Sequence, residues 1–279
     1  MAVDPVTSAP GIVVDAFGVH VGVRVSGDRA GEVLDRLADL WECCPTPVGT
    51  LAEVAVDVLF DSSLASTPTA WHEADAAGLV ARPQLDDLLQ VVTQRITETA
   101  VDARAGACLM LHAACLADPD SGAAVAFVAP GGTGKTTLVR TLGAGRWYVT
   151  DETTVVLDDG TVVPYPKPLS VRREPGSLFK DETAPGRLGL VAAQGRVYLA
   201  GLCLLVRDDD HDGPPVSETL STLDGLVALV PQTSHLPDQP RPLRRLAELS
   251  EALGGVRRLH YRESADLEDL WDGLLAVGR

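Results

Sequence analysis

The chain has 279 residues, enough to bury a full core in one large domain or two modest ones. Apolar residues make up 46% and charged residues 22%, a globular balance, while aromatics at 4% call for a core built from Val, Leu and Ala. The net charge of −16 argues against nucleic acid and anionic membrane as general partners; a local positive pocket can still hold an anionic nucleotide, and a basic peptide or protein is favoured over an acidic one.

Residues 1–10 carry Pro5 and Pro10 and read as loose. Residues 12–25 alternate as a hairpin turning near Phe17-Gly18. Residues 29–41 form an amphipathic helix with Val33, Leu34, Leu37, Leu40 and Trp41 on one face, broken by Pro45, Pro47 and Gly49. Val54, Val56 and Val58 alternate as a strand, 61–83 read as loop, and Pro83 opens a helix over 84–104 with Leu85, Leu88, Leu89, Val92 and Ile96 at helical spacing. This first part, 1–105, reads as an accessory α+β domain without a catalytic signature. A second domain, 106–279, opens with strands at 108–117 and 123–129, a helix from about 134 to 143 stopped by Gly143 and Gly145, and a buried strand at Trp147-Tyr148-Val149. A hairpin follows at 153–157 and 161–163 around Asp158-Asp159-Gly160, then a long apolar strand at 197–206. The acidic loop 207–215 reads as a solvated turn, because its spacing fits no calcium loop. Two helices close the chain: one starts at Pro242 and ends before Gly254-Gly255, and one is capped by Ser264 and buries Leu267, Leu270, Trp271, Leu274 and Leu275.

No apolar run approaches a membrane span, and no basic stretch followed by an apolar core marks a secretory signal. Cys43, Cys44, Cys108, Cys115 and Cys203 are odd in number and contain no C-x-x-C pair, so reduced, mostly buried thiols and a soluble cytoplasmic protein are expected.

The chemistry concentrates after the strand Ala124–Val128. Residues 129–137 read Ala-Pro-Gly-Gly-Thr-Gly-Lys-Thr-Thr and lead into Leu138-Val139-Arg140-Thr141-Leu142, the strand, glycine turn and helix start of a phosphate-binding P-loop. Pro130, Gly131, Gly132, Thr133, Gly134, Lys135, Thr136 and Thr137 are the candidate nucleotide-binding residues. Glycines let backbone N–H groups converge on phosphate oxygens, and the first helical turn adds donors and a positive dipole end. Lys135 can reach the β- and γ-phosphates, and the Thr136 hydroxyl can ligate Mg²⁺. Ala129 stands where the G-x-x-x-x-G-K-[ST] pattern has its first glycine, which is tolerable if that position needs no positive φ. Sixteen residues after Lys135 comes Asp151-Glu152, just past a strand end, where α/β sheets place ligands. The two carboxylates can diverge, one toward Mg²⁺ and one toward substrate, and they can face the glycine loop if the two strands are neighbours. His112, in the apolar Leu109–Ala114 strand, is either a satisfied core histidine or a site residue. Pro164-Tyr165-Pro166-Lys167-Pro168-Leu169-Ser170-Val171-Arg172-Arg173 is a rigid cationic segment whose Lys167, Arg172 or Arg173 either meets phosphate or acceptor or stays solvated.

Taken together, Leu111-His112-Ala113-Ala114, the Gly-Gly-Thr-Gly-Lys-Thr-Thr loop, Asp151-Glu152 and Pro164-Tyr165-Pro166-Lys167-Pro168-Leu169-Ser170 resemble the HPr kinase/phosphorylase-like group, a PEP-carboxykinase-related branch of P-loop proteins. The stretch 256–275 also looks like the C-terminal part of small kinase-like members, and the resemblance spans roughly 106–276. It implies an α/β fold, a P-loop kinase core of that type with a smaller N-terminal α+β domain. It also implies a catalytic set of Asp151 as general base, His112 near the base and the transferable phosphate, and Lys135. Thr136 and Glu152 would then hold the metal, Glu152 standing where the family has a second Asp. The expected activity is transfer of the γ-phosphoryl group of ATP, with Mg²⁺, to a Ser or Thr hydroxyl of a peptide, protein or small molecule, without bifunctional phosphorolysis. A nucleotide-binding accessory protein without phosphotransfer and a hydrolysing P-loop NTPase are the competing readings. Self-association is left open.

Overall fold

A computed structural model of the protein describes residues 11–65, 67, 69–173 and 180–275. The expectation for residues 1–10 lies outside these. The chain divides into two compact units, one made of residues 1–103 and 168–184, the other of 104–167 and 185–279.

The first unit opens with β1 (Gly11–Ala16) and β2 (Val19–Ser26), an antiparallel hairpin whose turn residues Phe17 and Gly18 both take positive φ, 43° and 82°. Two positive φ values give the turn the twist the strands need. Helix α1 (Ala30–Leu40) buries Val33, Leu37 and Leu40 at the spacing the sequence shows, and β3 (Val54–Leu59) then pairs parallel with β2. The stretch 61–83, expected as loop, contains a short 3-10 turn, α2 (Ala70–Ala76) and β4 (Val80–Ala81), which pairs parallel with β3. These elements are too short to carry a periodic signal; α2 buries only Ala74. Helix α3 (Leu85–Ala103) buries Leu88, Leu89, Val92 and Ile96.

The chain then enters the second unit with β5 (Leu109–Ala117), β6 (Ala123–Val128), α4 (Lys135–Leu142), β7 (Trp147–Thr150), β8 (Thr153–Val156) and β9 (Thr161–Val163). After Lys167 it returns to the first unit for the hairpin β10 (Leu169–Arg172) and β11 (Lys180–Thr183), the latter packed on α3. The expected contiguous domain 106–279 is thus interrupted at 168–184, a detour that no local pattern announces. Back in the second unit come β12 (Val191–Ala192), β13 (Val197–Arg207), β14 (Val216–Thr219), α5 (Thr222–Leu229), β15 (Thr233–Ser234), α6 (Pro242–Ala252), β16 (Arg257–Tyr261) and α7 (Trp271–Leu275). A 3-10 stretch over 264–270 precedes α7, and its cap is Glu263 rather than Ser264: the Glu263 side chain accepts from the backbone while Asp266 accepts from the Glu263 N–H.

The second unit is built on a 10-stranded mixed sheet. β6 pairs parallel with β13, and β13 parallel with β16, while β5 runs antiparallel to β6, β7 and β8. Every residue of β6 is buried, and His112 alone in β5 is not. Two-faced burial explains why these strands read as continuous apolar runs. Each Val or Leu side chain so enclosed contributes about 1.5–3 kcal/mol. Among the described residues no helix is long and apolar enough to cross a membrane, and all five cysteines are free thiols.

Candidate functional site

The loop between β6 and α4 is open toward solvent. Gly132 and Gly134 take left-handed φ of 82° and 101°, values that cost a β-carbon-bearing residue roughly 1–2 kcal/mol. A Cβ placed on Gly131, Gly132 or Gly134 would meet nothing within 4 Å, so the protein's own chain does not fill the cradle. Ala129 is buried, with no positive φ, so the missing first glycine leaves no strain. Thr133 donates its hydroxyl to the Pro130 carbonyl at 2.9 Å. Lys135 is buried and donates to the carbonyls of Ala129 at 2.6 Å and Pro130 at 3.1 Å.

Strands β7 and β8 lie along the same side of β5, and Asp151-Glu152 is the two-residue break between them. The register along β5 slips between Cys115 and Leu116, and the Glu152 carbonyl accepts from the Ala113 N–H at 3.0 Å. Such irregularities re-aim side chains beside sites. The strands before the loop and before the doublet are not neighbours: β5 separates β6 from β7. Helix α4 packs on β5 and closes the distance. The Thr136 hydroxyl donates to Asp151 Oδ2 at 2.7 Å, joining the loop to the doublet across the intervening strand. Of the expected metal pair, Thr136 meets Asp151 and Glu152 meets Lys167.

The two carboxylates differ in exposure but converge on one cation. The Asp151 side chain is 3% exposed and that of Glu152 36%. Between them sits Lys167, its side chain 2% exposed, with Nζ 3.2 Å from Asp151 Oδ1 and 3.0 Å from Glu152 Oε2. The Tyr148 hydroxyl, 3.2 Å from Asp151 Oδ1 and 3.1 Å from the Lys167 carbonyl, braces both. The Lys167 ammonium, more than any other neighbour, holds the Glu152 carboxyl below its ordinary range, with Lys135 adding to the effect against the opposing cost of burial. Burial and the nearby Lys135 charge lower His112, opposed by Glu152 and by a hydrogen bond to the Gln232 side chain. His112 is therefore neutral near pH 7. The cluster thus joins two carboxylates, two ammonium groups and one neutral imidazole.

Of the residues expected at the site, His112, Lys135, Thr136, Asp151 and Glu152 come together in the second unit. Pro130, Gly131, Gly132, Thr133, Gly134 and Thr137 line or follow the open turn, Thr137 exposed on the first turn of α4. Lys167 meets the doublet, whereas Arg172 and Arg173 belong to the first unit, where Arg173 pairs with Asp181 at 2.6 Å and Asp86 at 3.3 Å. Sequence reasoning does not find Tyr148 and Gln232. Tyr148 lies three residues before Asp151 in an apolar strand, and Gln232 reaches His112 only through the fold. The acidic turn at 208–212 is tied by its own backbone, Asp208 accepting from Asp210 N–H at 3.0 Å. Among the described residues no group of three His, Cys, Asp or Glu side chains is placed to hold a metal unaided.

No protein-family model matches the chain, and no curated protein matches it. Among solved structures it is similar to the Hpr(Ser) kinase/phosphatase from Coxiella burnetii, at 13% identity and a TM-score of 0.33, over 60% of this chain and 93% of that one. At that level the likeness assigns no residue of this chain a role.

Proposed function

We propose that this protein is an ATP-dependent phosphotransferase that moves the γ-phosphoryl group to a hydroxyl of a peptide, protein or small-molecule acceptor. The observation that carries the reading is the 2.7 Å hydrogen bond from Thr136 to Asp151, with Glu152 beside it. A loop hydroxyl and a carboxylate in contact form a hard oxygen pair, the donor set Mg²⁺ prefers, and Mg²⁺ characteristically takes one or two carboxylates and completes its shell with phosphates and water. Bound there, Mg²⁺ would neutralise charge developing on the phosphates.

The chain's own residues supply the remaining parts. Backbone N–H groups over 131–136 belong to an open turn and would hold phosphate oxygens. Lys135 would exchange the carbonyls of Ala129 and Pro130 for phosphate oxygens, as a stronger, charge-assisted bond. The geometry favours a division of labour opposite to the one the family resemblance implies: Asp151 with Thr136 on the metal, Glu152 as the acceptor of the hydroxyl proton. Glu152 is the more open carboxylate and is ionised at neutral pH. His112, neutral and within electrostatic reach of Glu152 and Lys135, would hydrogen-bond the group in transit. Positioning and charge stabilisation would then provide most of the rate.

The test is transfer of radiolabel from γ-labelled ATP to serine- and threonine-containing acceptors, with Asp151→Asn and Glu152→Gln. Asp151→Asn should weaken the Mg²⁺ dependence of nucleotide binding, and Glu152→Gln should bind ATP normally and slow transfer about 10²-fold or more. Phosphate release at the same rate with and without acceptors would make the protein a hydrolase. Tight ATP binding with no turnover would make it an accessory protein.

A further inference from the structure

Lys167 is the feature of the site that the proposed reaction leaves without a task. Its ammonium is almost completely enclosed, and the path that brings it there is rigid. Tyr165, itself buried, donates its N–H to the Val149 carbonyl at 2.9 Å, the Lys167 N–H donates to the Tyr165 carbonyl at 2.8 Å, and prolines flank it at 166 and 168. The Tyr148 hydroxyl donates to the Lys167 carbonyl. Main chain and side chain are thus both held, and the ammonium lies against one oxygen of each carboxylate.

Stability alone accounts poorly for this arrangement. Removing the Lys167 and Asp151 charges from water costs several kcal/mol for each ion, and well-packed apolar residues often serve a core as well or better. A cation fixed between two carboxylates has a further consequence. It occupies the position from which a divalent ion would be gripped by both, and it leaves Asp151 Oδ2, the oxygen on Thr136, as the available ligand.

We propose that Lys167 is a positioning residue that acts as a built-in counter-cation, confining the divalent metal to the Thr136–Asp151 side and keeping Glu152 free of metal as the proton acceptor. This rests on the phosphotransferase reading for its catalytic half only; the confinement of the metal is a property of the protein alone. It predicts effects of opposite sign. Losing the ammonium opens a two-carboxylate grip, so metal binds more tightly, while Glu152 is drawn to the metal and transfer slows. A residue that merely supported the fold would weaken both.

The experiment is titration of the nucleotide-free protein with Mn²⁺, followed by electron paramagnetic resonance of the free ion, beside phosphoryl-transfer kinetics. Lys167→Met should bind Mn²⁺ about tenfold more tightly than the parent, because the repelling charge is gone. Its kcat should fall at least tenfold with KM for ATP within about twofold. Lys167→Arg, which keeps the charge, should retain parental Mn²⁺ affinity. The double variant Lys167→Met/Glu152→Gln should lose the gain, since the second carboxylate is gone. Unchanged or weaker Mn²⁺ binding in folded Lys167→Met overturns the proposal, as does a gain that survives Glu152→Gln. If Lys167→Met does not fold by circular dichroism, Lys167→Gln, which keeps a donor without the charge, takes its place: tighter Mn²⁺ binding supports the proposal, and unchanged or weaker binding overturns it. A parent that transfers no phosphate sinks the phosphotransferase reading, while the Mn²⁺ series still decides the role of Lys167.

Discussion

Asp151 and Glu152 are adjacent in the chain yet live in different surroundings. Asp151 is enclosed by Thr136, Tyr148 and Lys167, while Glu152 keeps a third of its side chain open. The proposed division into metal ligand and proton acceptor rests on that difference rather than on their acidity. It also sets the pH response. His112 has an ordinary value of 6.5 and is lowered in the fold, so the unfolded chain binds its proton first as pH falls; stability is lost between 6.5 and the lowered value. Glu152, lowered from 4.5, contributes stability above 4.5 that is lost as pH falls through its folded value. Both signs agree: thermal unfolding scans from pH 7.5 to 4 should show a steadily falling Tm. His112→Gln should flatten the upper part of that fall, and a Tm rising toward acid would contradict the assignment. Thr136→Val, which removes the hydroxyl and little volume, should abolish Mg²⁺-dependent tightening of ATP binding while changing Tm by only a few degrees, as read by calorimetric titration.

At the level of elements, the site depends on α4 being held at both ends. Its start is set by Gly134, whose φ of 101° lets the loop enter the helix. Its end is tied by Arg146, which donates to the Leu142 carbonyl, pairs with Glu268 at 2.9 Å and lies 4.3 Å over the Trp271 ring. The C-terminal turn therefore anchors the helix that carries Thr136. Arg146→Ala removes a helix-end bond, a partly buried ion pair and a cation–π contact at once, so a loss of about 1–3 kcal/mol is expected in denaturant unfolding. Nucleotide affinity should fall with it; an unchanged midpoint would show that the clamp contributes nothing to stability. Gly134→Ala should cost about 1–2 kcal/mol through the left-handed φ, and should weaken ATP binding more than stability.

For the whole molecule, the interleaved path of the chain matters most. The first unit needs residues 168–184, because β11 packs on α3. A fragment of residues 1–103 should therefore be less stable than the same fragment joined to 168–184 through a short Gly/Ser linker. Thermal unfolding of the two decides it, and equal Tm values would mean that the hairpin adds nothing. The net charge of −16 belongs to this scale also: if the acceptor of the proposed reaction is a basic peptide, its KM should rise steeply with added salt.

Much of this is legible in the amino-acid sequence. The glycine loop carries its own geometry, since backbone approach and left-handed φ demand glycine locally, and the apolar runs of β5, β6 and β13 announce buried strands through period and length alone. Hairpin turns and the longer helices are visible for the same reason, being stabilised by neighbours a few residues away. What lies beyond reach depends on residues distant in sequence. These include β5 standing between β6 and β7, Lys167 closing on a doublet 15 and 16 residues upstream, Gln232 meeting His112, and the return of 168–184 to the first unit. Strand order and buried ion pairs are fixed by packing the entire sheet, and one-dimensional periodicity records which side chains seek burial but not which ones will meet there.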